Sequence, residues 1–278
     1  MAIPIINTWE KYYDDPHEGL GSSYERIVLN LLLMRLMEQG GFKSALETPC
    51  FGFTGLTGIN LAGMAKAGCQ VCLEDSDLDR IDRIRSTWQE LGIPVQIKHN
   101  PGFSALDYAD HSFDFGFNFS ALWFVADLPD FIREFTRVVR NQILICVPNQ
   151  RGIGFRGQLK GFSPDQYPQL RPAFIDPPSI IHLMRKCGWK LVEQDFIDCP
   201  PWPDIGMNKE DFFSTKLQHK TPEETPEPRL KPISILDYYR GVDPEFAPRM
   251  LRLYPFEKYA PRLFKRYWAH HLYLLFQP

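Results

Sequence analysis

The chain of 278 residues has no run of about 18 apolar residues, so no membrane-spanning helix is expected. It also lacks an excess of either charge. Lys and Arg total 31 against 34 Asp and Glu, a formal net charge of −3, which argues against a general nucleic-acid binder with its basic surplus. The N-terminus has no charged-then-apolar signal pattern. Internal repeats are absent, which excludes solenoid and propeller architectures. Cysteine is sparse, at six residues, and only Cys69 and Cys72 have the Cys-x-x-Cys spacing. On a strand these two would face opposite sides of the sheet, and no second pair completes a zinc site. Reduced, packed cysteines and a cytoplasmic location are therefore expected.

What is present is an ordinary globular composition, 44% hydrophobic and 23% charged. The 24 prolines concentrate in the second half, which predicts a regular first half and a looser second one. A helix is predicted from a Ser22 or Ser23 N-cap to Gln39, stopped by Gly40-Gly41. Short apolar strands then alternate with helices. Strands are predicted at Lys43–Glu47, Cys69–Glu74, Val95–Lys98, Phe113–Phe117 and Ile143–Val147. Helices are predicted at about Gly58–Ala67, at Leu78–Leu91 with Leu78, Ile81, Ile84, Trp88 and Leu91 on one face, and at Leu128–Val139. This alternation implies a parallel sheet covered on both faces. After Pro148 come a helix at Ser179–Cys187, a strand at Lys190–Ile197, a proline-rich polar stretch over 199–232, helical stretches near Ile233–Tyr239 and Phe246–Tyr254, and a last strand at His271–Phe276.

The first strand runs into a turn containing Gly52, Gly55 and Gly58, followed by a helix. Glycines in that context let the backbone approach a ligand at the head of a parallel sheet. The second strand ends in Glu74-Asp75-Ser76. An acid there, about 20 residues beyond the glycine turn, is placed to accept hydrogen bonds from a ribose diol. The other reading of Asp75 is a cap for the next helix.

These residues, with Leu46-Glu47, the run Ser112–Phe119 and the helix Phe131–Arg140, resemble the class I S-adenosylmethionine-dependent methyltransferases, of the type-11-like domain, over about residues 43–150. The resemblance implies a Rossmann-like, mostly parallel seven-stranded sheet with helices on both faces and the last strand antiparallel. It implies S-adenosylmethionine as cofactor, with Glu47 and the turn of Gly52, Thr54 and Gly55 facing its methionine part and Pro49 and Cys50 among the cofactor-binding residues. Asp75 and Ser76 would hold the ribose, Phe103 and Ser104 would flank the adenine, and Asn118 and Phe119 would sit near the sulfonium. Pro49 stands where the family carries its first glycine, and the turn is longer. That keeps open a non-catalytic module of the same fold, and an NAD-dependent oxidoreductase remains the other alternative.

The organisation expected is an N-terminal helical arm or lid over 1–42, a cofactor-binding core over 43–198, a substrate-covering cap insertion over 199–268, and a final core strand over 269–278. Methyl transfer by direct displacement depends mainly on positioning, so no catalytic side chain is assigned. His17, Tyr24, Trp123 and Asn149 are the candidates for touching a small-molecule or lipid-like acceptor. Each has a plainer reading, as arm, helix packing, core and turn cap respectively. His270-His271 looks like a metal pair, but neighbours on a strand point to opposite faces and no third ligand stands near in sequence. Structural histidines and no metal are expected. The basic, aromatic stretch Arg249–Arg266 reads first as a solvated helix face and second as a peripheral contact with anionic lipid.

Overall fold

The computed structural model describes residues 9–15, 18–52, 55–159, 168, 170–201 and 234–278. Two helices come first, α1 (Lys11–Asp14) and α2 (Gly19–Gly40). The second starts earlier than the predicted serine cap. Ser23 is fully buried, and the Glu18 carboxylate ahead of the helix is not a cap but a partner of Arg26 and of the Leu56 amide. Gly41 ends the helix in the left-handed region, φ +63°.

The alternating units follow: β1 (Ser44–Glu47), α3 (Ala62–Lys66), β2 (Gln70–Asp75), α4 (Leu78–Glu90), β3 (Gln96–His99), β4 (Phe113–Phe119), α5 (Leu128–Val138) and β5 (Val139–Pro148). The helix after β1 is shorter than predicted, because Leu56, Thr57 and Asn60 spend their polar groups on Glu18, Cys50 and Glu47 instead. Local chemistry explains the other starts. Asp77 caps α4, Asp127 caps α5, and Asp176 caps α7 (Pro177–Lys186) ahead of its two prolines. In α4, Ile81, Ile84 and Trp88 are buried as expected, but Leu78 on the first turn is 60% exposed. Beyond β5 lie α6 (Ile153–Leu159), α7, β6 (Lys190–Ile197), α8 (Ile235–Arg240), α9 (Phe246–Leu251), α10 (Tyr254–Tyr259), α11 (Arg262–Trp268) and β7 (His271–Gln277).

The strands form one sheet in the order β3-β2-β1-β4-β5-β7-β6. Pairings from β3 through β5 are parallel, and β7 runs antiparallel between β5 and β6. The fold is thus the mostly parallel α/β sheet with an antiparallel last strand. Period-two alternation divides the core. Ala45, Phe115, Phe117, Leu144 and Cys146 pack on one face with α2, α3 and α4; Leu46, Ile143 and Ile145 pack on the other with α5 and α7. Cys69 and Cys72 fall in opposite clusters, and all six cysteines are free thiols. Among the described residues no helix is long and apolar enough to cross a membrane.

One edge of the sheet gathers the polar residues. The parallel strands end there, at Glu47, Asp75, His99, Phe119 and Pro148. The antiparallel β7 begins at the same edge, with His271 opposite both Pro148 and Ile197.

Candidate functional site

The turn after β1 is held by the residues around it. The Cys50 amide bonds the Glu74 carbonyl, and the Thr57 hydroxyl donates to the Cys50 carbonyl. A Cβ on Gly52 would lie 1.6 Å from the Phe119 carbonyl oxygen, and one on Gly55 would lie 2.4 Å from a Glu18 carboxylate oxygen. These glycines are therefore demanded by close approach of the turn to the end of β4 and to the start of α2. Arg26 braces the same turn: it binds Glu18 through two nitrogens, the Leu56 carbonyl at 2.5 Å and the Asn60 side-chain oxygen at 2.9 Å. Thr54 lies outside the described residues.

Glu47, at the end of β1, is 1% exposed. One carboxyl oxygen accepts from Asn60 at 2.7 Å, and the other is buried with no hydrogen-bond partner among the described residues. Burial pushes its pKa up to about 8, against the opposing pull of the Asn60 hydrogen bond and Arg26. At neutral pH it holds its proton. Glu74 is also raised by burial and is engaged inward with Thr48 and Asn100.

Asp75 is completely buried at the end of β2. It does not cap α4; Asp77 does. Asp75 accepts from the Asp77 amide at 2.9 Å, from Arg80 Nε at 2.9 Å and Nη2 at 2.5 Å, and from the Cys50 thiol at 3.5 Å. A carboxylate offers about four lone-pair sites, so these bonds fill it. The guanidinium of Arg80 lies 3.8 Å from the Phe51 ring centroid and 5.3 Å from that of Trp9. Arg80 has a second acceptor in Asp77, at 3.4 Å.

Beside this pair opens a cavity of about 390 Å³, lined by Trp9, Pro49, Phe51, Asp75, Ser76, Asp77, Arg80, Phe103 and Phe124. Phe103 reaches it from a left-handed backbone, φ +55°, fixed by its amide on the Asn100 side-chain oxygen at 2.9 Å. Pro49, Asp75, Ser76 and Phe103, proposed from sequence for one cofactor, thus meet in one hollow. Ser104 is exposed and does not line it. Asn118 is buried and stitches β4 to β1, donating to the Thr48 carbonyl at 2.8 Å and accepting the Ala121 amide at 3.3 Å. Phe119 is buried with its ring 4.7 Å from that of His271. Sequence reasoning missed Arg80, Asp77, Phe51 and Phe124. The spacing of Asp77 and Arg80 from Asp75 was visible, but a helical Arg has no signal that it turns back toward the preceding strand.

The acceptor candidates disperse. His17 lies outside the described residues. The Tyr24 hydroxyl donates to Glu257 at 2.7 Å, and burial and that carboxylate hold its proton on far beyond the usual tyrosine range. Trp123 is buried, its indole N–H on the Ser120 carbonyl at 2.7 Å. Asn149 is buried at the end of β5 and donates to the Arg266 and Ala269 carbonyls. It lines a second cavity of about 580 Å³ with Gln150, Arg151, Gln194, Arg262 and Arg266.

Residues 52–146 match a family described as Methyltransferase domain. The resemblance to class I S-adenosylmethionine-dependent methyltransferases holds. Among solved structures, a Galdieria sulphuraria protein assigned as a sarcosine dimethylglycine methyltransferase matches with TM-score 0.51 and 13% identity, covering 89% of this chain and 84% of its own. The cyclase SpnF matches with TM-score 0.50 and 14% identity over 89% of this chain and 80% of its own. The MccD protein matches with TM-score 0.50 and 11% identity over 88% and 95%. At such identities the likeness is one of fold. No curated protein sequence matches the chain.

Proposed function

We propose that this chain is an S-adenosylmethionine-dependent methyltransferase that passes a methyl group to a small-molecule or lipid-like acceptor by direct displacement. The cavity at the end of β2 carries the proposal: its size suits the adenosine part of such a cofactor, and a buried acid stands at its base between aromatic walls. Asp75 would hold the ribose hydroxyls once Arg80 shifts to Asp77. Phe103, with Phe51 and Phe124, would wall the adenine and exclude water. Glu47, with its unpartnered buried oxygen, would face the methionine ammonium and give up its proton to do so.

When bound, the cofactor supplies an electrophilic methyl on a sulfonium. The protein's part is to hold an acceptor in line with it, a role that requires positioning more than a catalytic side chain. Asn118 would serve by fixing the β4 end against the turn, and Phe119 by closing one side. Among the described acceptor candidates Asn149 borders a cavity, whereas Tyr24 and Trp123 spend their polar groups inside the fold.

A second reading keeps the binding and drops the reaction. It is favoured by the direct packing of Gly52 on the Phe119 carbonyl, which closes the turn against the strand end proposed to face the sulfonium. SpnF is named as a cyclase, so the fold is not tied to methyl transfer. Calorimetry with S-adenosylmethionine, S-adenosylhomocysteine and NAD, followed by an assay for methyl transfer to pooled small-molecule and lipid acceptors, separates the readings. Binding with turnover supports methyl transfer, and binding without turnover on any pool supports the second reading. Binding of NAD alone removes both.

A further inference from the structure

A second buried polar cluster lies on the other side of Phe119. It joins Glu25 of α2, Asp198 just after β6, and His271 at the start of β7, which are 2%, 1% and 1% exposed. One donor atom from each lies within 4.8 Å of the others. His271 Nδ1 and Glu25 Oε1 stand 3.0 Å apart, within ion-pair distance, yet neither makes an aligned hydrogen bond among the described residues. Burying carboxylate oxygens in this way is costly unless a cation offsets them.

The distances are those of ligands around a metal. Two donors each about 2.1 Å from one ion lie about 3 Å apart when roughly at right angles and about 4.2 Å apart when opposed. The near pair matches the first case, and with every separation within 4.8 Å the others need only small side-chain shifts to fall within the second. A neutral imidazole and two carboxylates carry a charge that a dication cancels. His270 completes the arrangement, its Nδ1 2.5 Å from the other oxygen of Asp198, as an imidazole that orients a ligand carboxylate. Glu257 borders the cluster and accepts the Asp198 and Cys199 amides. The sequence hid the set because its members come from three segments far apart in the chain.

We propose that Glu25, Asp198 and His271 form a divalent-cation site with one nitrogen and two oxygen ligand groups, suited to Mn²⁺ or Zn²⁺. The ion would tie α2 to the β6 and β7 ends beside the wall formed by Phe119. The proposal is independent of the methyltransferase reading.

The test takes the full-length protein, strips it with chelator, and titrates it with MnCl₂ and with ZnSO₄ by calorimetry. One equivalent of either metal should bind, and the Tm should rise on loading and fall back with chelator. Glu25→Gln and His271→Gln should each weaken binding at least a hundredfold. His182→Gln, at an exposed histidine, should leave it unchanged. If the two variants do not fold, X-ray absorption on the loaded wild-type protein reads the ligands directly: imidazole nitrogen with oxygens supports the site, and sulfur ligands overturn it. Failure of both metals to bind stoichiometrically, or undiminished binding in folded Glu25→Gln and His271→Gln, also overturns it. In that case the cluster is two histidine–carboxylate pairs.

Discussion

At the residue scale, the proposed ribose role of Asp75 sets the ligand against Arg80, which holds that carboxylate in this structure. On the proposed binding mode Arg80 would give up its charge-assisted hydrogen bonds to Asp75. Arg80→Gln should therefore bind S-adenosylhomocysteine several-fold more tightly than the wild type. It should also melt at a lower temperature without ligand, since Asp75 loses its counter-charge in a dry site. Weaker binding in a folded Arg80→Gln protein would mean that Arg80 itself contacts the ligand. Glu47 makes a separate prediction. It is unprotonated in the unfolded chain above about pH 4.5, but protonated in the fold until about pH 8. Its contribution to stability is thus fully present below pH 4.5 and is lost as pH rises to about 8. Chemical denaturation should show stability falling across that window, by on the order of a few kcal/mol, and Glu47→Gln should flatten the fall. An unaltered profile in Glu47→Gln would place the titration elsewhere.

At the element scale, the turn between β1 and α3 is the tightest constraint. Gly52→Ala would drive a methyl group into the Phe119 carbonyl, a backbone atom that cannot step aside. The variant should lose several kcal/mol, about the upper range for single substitutions, or fail to fold. Gly157→Ala in α6 meets nothing within 4 Å and should gain about 0.5–1 kcal/mol from helix propensity. Thermal melts of the two variants measure the contrast; a Gly52→Ala protein as stable as wild type would show that the turn can move. The regular elements were legible because periodicity and caps are local: β6 falls at Lys190–Ile197 as read, and the Cys69/Cys72 split follows from strand alternation. The start of α2 and the length of α3 were not, because Glu18 answers to the Leu56 amide far along the chain and Asn60 reaches back to Glu47 on β1. The cavity was half legible. A strand end marks Asp75 and the loop after β3 marks Phe103, whereas Arg80 enters through a tertiary contact.

At the scale of the whole molecule, the described part of the segment before β7 packs into the core. Ile235, Leu236, Tyr239, Phe246 and Met250 belong to the same buried cluster as α2 and the sheet. Replacing residues 203–262 by a short Gly/Ser linker would strip these side chains from the core, at about 2–5 kcal/mol for each large one. Loss of the cooperative melt is the expected outcome. A folded protein that still binds S-adenosylhomocysteine would instead make the whole segment a dispensable cap. The central claim concerns the hollow at the end of β2, and calorimetry of S-adenosylhomocysteine against wild type and Asp75→Asn tests it most directly. Asparagine keeps the shape of Asp75 and removes its charge. The account predicts one-site binding to the wild type, weakened about tenfold or more in folded Asp75→Asn by loss of hydrogen bonds worth about 1.5–3 kcal/mol. No binding to the wild type, or the same dissociation constant in both proteins, would contradict it.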